Sequence, residues 1–170
     1  DPAGALLWRP DFAAVSAAGV PGVTAGPWEY QPHPAADASR PPSAYGHFVT
    51  VWRMKADSGW KVAADIGIDH PRDARAAAPF AEAGLTGTSR PTPTAIAALA
   101  GAPQPVPGGP AEASASLLAA ERAFESDAVA GGVTAAYLSH GAQDIRVYRD
   151  GSFPAAGRDA ARGVLAAHTA

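Results

Sequence analysis

The chain has 170 residues, 47% of them hydrophobic, and a formal net charge of −3. That length suits one ordinary domain, or one domain with a connector, although much of the apolar content is alanine and each buried residue removes little area from water. No dense Lys/Arg stripe is present, so nothing points to a nucleic-acid partner; no apolar run approaches the roughly 20 residues of a membrane span; and the lack of cysteine excludes disulfides, thiolate metal sites and cysteine nucleophiles.

In chain order, the start at Asp1, with neither methionine nor a signal-peptide pattern, points to a processed or truncated N-terminus and gives no basis for naming a compartment. Leu6 to Tyr30 reads as two extended segments, with Phe12, Ala14 and Ser16 alternating against Ala13, Val15 and Ala17. Gly19, Pro21 and Gly22 break the run before a second strand from Val23. Gln31 to Pro42, with four prolines, is a loop. Ala44 to Lys55 and Trp60 to Ile68 then flank a turn containing Asp57, Ser58 and Gly59, the signature of a β-hairpin.

From Pro71 to Pro110 proline recurs among Gly, Ala, Ser and Thr, and the stretch reads as a linker with short helical turns near 74–83 and 94–99. Helical spacing returns at Ala111, with Ser114 or Ser116 as cap, Leu117, Phe124 and Ala128 on one face, and Gly131–Gly132 as terminator. A short helix carrying Val133, Ala136, Tyr137 and His140 follows. Asp144 to Arg149 is strand-like, Asp150–Gly151 is a turn, and a last helix spans about Arg158 to His168. The expected organisation is a sheet half over residues 1–70, a linker over 71–110 and a helical half over 111–170.

Gly46, Phe48, Trp52, Arg53, Asp57, Gly59, Trp60, Lys61, Val62 and Asp65 of the hairpin resemble the closing strands of the nuclear transport factor 2-like superfamily, in its SnoaL-like, largely uncharacterised bacterial branch. Leu7 to Ser16 and Gly22 to Trp28 resemble the two strands before that hairpin. Glu121–Phe124, Tyr137, Asp144, Arg149–Gly151 and Gly157–Asp159 resemble the family's opening half. The resemblance implies an α+β fold, a curved antiparallel sheet wrapped around helices as a cone, or cystatin-like roll. Closing and opening halves stand in reversed order, which implies either a fragment of a tandem two-cone protein or a permuted single cone. It also implies a homodimer through the outer face of the sheet, or a second cone domain as neighbour, and no cofactor.

A cone leaves a pocket at its open end, so a small-molecule ligand is the expected partner. A same-parity register across the hairpin would place Tyr45, His47, Val49 and Val51 on one face with Ala63, Asp65 and Gly67, and bring His47 beside Asp65. Such a pair can act as general acid and base in a cofactor-free isomerase or cyclase, with Tyr137 donating to an oxyanion. The same residues also fit a structural pair and a core tyrosine. Tyr45, Trp28, Val49 and His140 complete the candidate ligand-binding set. Asp69, His70 and Asp73 have metal-ligand chemistry but fall across a proline turn, and read as a solvated turn; no metal site is expected.

Overall fold

The computed structural model describes residues 4–16, 21–32, 42–72 and 109–168. The linker expected over 71–110, with its two helical turns, lies almost wholly outside these residues. The fold is α+β, with a strongly curled antiparallel sheet and, among the described residues, three helices. The described residues fall into two compact units: one holds the sheet together with Tyr148–Phe153, the other holds the helices.

The sheet is built from β1 (Ala5–Trp8), β2 (Phe12–Val15), β3 (Gly22–Gln31), β4 (Ala44–Lys55) and β5 (Gly59–Asp69). The first extended segment is interrupted at Arg9–Pro10–Asp11, so that β1 and β2 pair with successive stretches of the same strand, β3. Pro10 accounts for the interruption, since it has no N–H to give a ladder. β3 pairs with β4 and β4 with β5, leaving β5 at the edge.

The β4–β5 turn has Gly59 at φ 70° and brings Lys55 opposite Gly59, Met54 opposite Trp60 and Trp52 opposite Val62. This is the expected same-parity register. The register then shifts between Val51 and Trp52, where Ala63 is passed over, and Val51 meets Ala64, Thr50 meets Asp65 and His47 meets Ile68. A one-residue bulge exchanges the faces of every residue beyond it.

The sheet therefore has two distinct faces. Phe12, Ala25, Glu29, His47 and Ile68 share one and are buried. Trp8, Trp28, Trp52 and Trp60 share the other. Trp52 Nε1 donates to Thr24 Oγ1 at 2.9 Å, and the Trp28 indole packs against Gly46. A Cβ at Gly46 would stand 2.0 Å from the carbonyl oxygen of Ile68 and 2.4 Å from the indole ring.

In the helical unit α1 spans Gly109–Gly131, α2 Val133–His140 and α3 Arg158–Ala167, and a short ladder pairs β6 (Arg146–Val147) with β7 (Ala155–Ala156). Neither serine caps α1. The helix begins earlier, at Gly109–Pro110, and the Ser114 hydroxyl donates instead to the Pro110 carbonyl at 2.9 Å. Proline suits the first helical turn because the N–H it lacks has no partner there. Gly132, at φ 90°, separates α1 from α2. The core of this unit is Val147, Ala155, Ala161 and Leu165, with Tyr137, Ile145 and Val164 packed around it.

Because backbone and a fixed indole crowd Gly46 on both sides, Gly46→Ala should destabilise the sheet unit by about 2 kcal/mol. Urea unfolding followed by tryptophan fluorescence should show a lower midpoint at an unchanged m-value.

Candidate functional site

The His47 face carries a polar cluster at the end of the sheet where β3 and β4 leave the turn-distal side. His47 stands on β4 opposite Ile68, and its Nδ1 lies 2.8 Å from Nε2 of His70. His70 follows the last residue of β5, and its N–H donates to the Tyr45 carbonyl at 3.1 Å, which continues the ladder and turns the imidazole back over His47. His70 Nδ1 lies 2.8 Å from the carbonyl oxygen of Pro71. A carbonyl only accepts, so His70 carries its proton on Nδ1; its Nε2 then accepts from His47 Nδ1–H, making Nε2 the basic nitrogen of His47. This tautomer assignment follows from the hydrogen-bond network. Both residues are 6% exposed. His70 is thus a buried partner of His47 and not part of a solvated turn; Asp73 lies outside the described residues.

Phe153 covers the pair, its ring edge-on to His47 at 4.9 Å and to His70 at 5.3 Å between centroids. The segment that brings it, Tyr148–Phe153, is tied to the end of β5. Gly151 N–H donates to the Asp69 carbonyl at 2.7 Å, and Asp69 N–H donates to the Asp150 carboxylate at 3.1 Å.

Glu29 stands on the same face, directly across from Tyr45. Its carboxylate accepts from Gln31 Nε2 at 3.1 Å. Only 7% of Glu29 is exposed. Burial pushes its carboxyl above the usual carboxylate range, opposed by the Gln31 hydrogen bond and by the positive charge of Arg72. The Arg72 guanidinium carbon lies 5.9 Å from the centre of the Tyr45 ring. Tyr45 and His47, two residues apart on one strand, are about 7 Å apart along it. Glu29, Tyr45, His47 and His70 therefore form one constellation.

The register shift separates the other expected members. Asp65 faces Thr50 on the tryptophan side, is exposed, and accepts from the Thr50 hydroxyl at 2.5 Å, so it does not pair with His47. Trp28 is also on that side, over Gly46, while Val49 is half-buried on the His47 face. Tyr137 and His140 belong to the helical unit. There the Tyr137 ring packs edge-on against Phe124 at 4.9 Å, and His140 Nε2 meets the Asp127 carboxylate at 2.7 Å. Among the described residues no set of three His, Asp or Glu side chains is placed to hold a metal ion, and no helix is long and apolar enough to cross a membrane.

Glu29 and His70 were missed as site residues. Glu29 carried a weak signal, a lone acid inside the apolar strand GVTAGPWEYQ. His70 carried none, because its burial depends on the fold-back after β5.

Two outcomes follow. A raised carboxyl means that the native state holds its proton more tightly than the unfolded chain. Glu29 therefore favours folding most at pH values below its ordinary 4.5, and that contribution is lost as pH rises through its raised native value. Glu29→Gln should be more stable than wild type at pH 7 and should lose this part of the pH dependence in urea titrations between pH 4 and 7. Replacing His70 by alanine leaves the buried His47 N–H without its acceptor, at a cost of about 1–3 kcal/mol. Asp65→Asn, at an exposed position, should shift the urea midpoint far less.

No family model, curated protein or solved structure matches the chain, so the constellation on the His47 face is interpreted from its own chemistry.

Proposed function

We propose that the sheet unit binds a small organic ligand on the His47 face, against Glu29, Tyr45, His47 and His70. One observation carries this reading. An acid and two imidazoles are buried together on an otherwise apolar sheet face, where aliphatic side chains would be the more stable filling. Buried polar groups gathered on one face are what a small-molecule site needs to orient its ligand. The ligand would have an apolar body and a carbonyl or hydroxyl group to meet the hydrogen-bonding side chains.

The SnoaL-like resemblance supports the same reading, since a cone presents one sheet face to its pocket. So does the membership of Tyr148–Phe153, from the family-like opening half, in the same compact unit as the closing-half hairpin.

A second reading is favoured by the raised carboxyl of Glu29. A buried acid with elevated proton affinity, one strand away from an imidazole, suits proton transfer next to a carbonyl. In this cofactor-free isomerase or cyclase, Glu29 takes the place that the sequence suggested for Asp65.

The test is a panel of cyclic ketones and related carbonyl compounds, followed by NMR of the histidine side-chain nitrogens. Binding should move the His47 and His70 resonances, and His47→Phe should weaken it at least tenfold. Compounds that move only the tryptophan indole signals, or none that bind, would sink the site. For the second reading, exchange of the α-proton into heavy water should be lost in Glu29→Gln and kept in Asp65→Asn.

A further inference from the structure

Among the described residues β5 is the edge of the sheet, and it is exposed along nearly its whole length. Strand geometry points the backbone groups of alternate residues toward β4 and of the others outward. Asp69 fixes the phase, because its N–H and C=O bond outward to Asp150 and Gly151. Gly67 and Asp65 therefore also present N–H and C=O groups at the open edge. The edge is limited at both ends, by the Asp150–Gly151 segment on Asp69 and by the bulge at Ala63. Between them lie Ala64 to Ile68, with Ile66 66% exposed on the His47 face.

We propose that this short edge pairs with the same edge of a second copy, antiparallel about a two-fold axis at Ile66. Asp65 of one copy then exchanges N–H···O=C bonds with Gly67 of the other, and the two Ile66 side chains, directly opposite on one face, cover each other. Other two-fold registers fail. An axis at Asp65 sets two carboxylates opposite one another. An axis at Gly67 sets Asp65 against Asp69, whose edge groups are already engaged.

The other face supplies the reason for choosing a second copy over an arbitrary strand. In this register the Asp65 carboxylate lies over Gly67 of its partner, which has no side chain of its own to fill the space. The nearest atom to a Cβ at Gly67 is Trp28 Nε1, at 3.8 Å. That indole N–H can donate to the incoming carboxylate, while the other carboxylate oxygen keeps its bond from Thr50. A donor on each copy meets an acceptor on the other. Among the described residues nothing pairs with this edge, and an unpaired edge is a template for such addition.

The test is sedimentation of the chain over a wide concentration range, with the Trp28 indole N–H signal followed on dilution. Wild type should dimerise, with the Trp28 signal moving in step. Gly67→Pro deletes an outward N–H at an edge position where proline is tolerated, and should weaken dimerisation at least tenfold; Ile66→Lys should do the same. Unchanged circular dichroism would show that both variants fold. A chain that stays monomeric at all concentrations would overturn the proposal, showing the edge to be unused or covered by another segment of the chain. A dimer that survives both substitutions, or that moves the Trp8, Trp52 and Trp60 signals instead, would overturn it in favour of the tryptophan face.

Discussion

The register between β4 and β5 governs everything else on the sheet. Antiparallel pairing has a side-chain period of two, so one unpaired residue decides which face receives the remainder of a strand. Passing over Ala63 puts Ile66 and Ile68 beside Val49 and His47, and puts Asp65 and Gly67 beside Thr50 and Phe48. Without that step the two isoleucines would join the tryptophans, and the charged Asp65 would enter the buried face. The bulge thus reconciles a turn that demands one parity with an apolar pattern that demands the other.

What results is a division of labour between faces. The tryptophan face is held by contacts of ring on backbone, Trp28 on Gly46 and Trp60 over Gly22, and by the hydrogen bond from Trp52 to Thr24. The His47 face buries groups that interact in a chain: Pro71 carbonyl, His70, His47, and the edge of Phe153. Each ring nitrogen in the His47–His70 bond depends on the tautomer of its neighbour, so the pair orients both imidazoles at once. Glu29 sits beside this chain, its charge disfavoured by burial.

Much of the secondary structure was legible in the sequence. The alternation of β4 and the glycine turn gave the hairpin, and Gly131–Gly132 and Gly157 marked helix boundaries correctly. The start of α1 lies ahead of the expected serine caps although Gly109–Pro110 held the signal, because serine has the stronger capping chemistry. The bulge was not legible, for a simple physical reason: Ala63 and Ala64 are identical neighbours, and small side chains do not declare a face. From that one silence followed the mistaken placement of Asp65. The burial of His70 and its bond to His47 depend on where the backbone turns after Asp69, information that local pattern does not contain.

The cover of the His47–His70 pair comes from far along the chain. Asp69 and Asp150, whose bond anchors Phe153, are 81 residues apart. Loop closure over that separation is entropically costly, though only logarithmically dependent on length, and contacts of this kind form late. As the polypeptide emerges from a ribosome, the five strands are available well before Phe153 exists. Any sheet that forms before that point would lack this cover over both imidazoles and the tie at the end of β5.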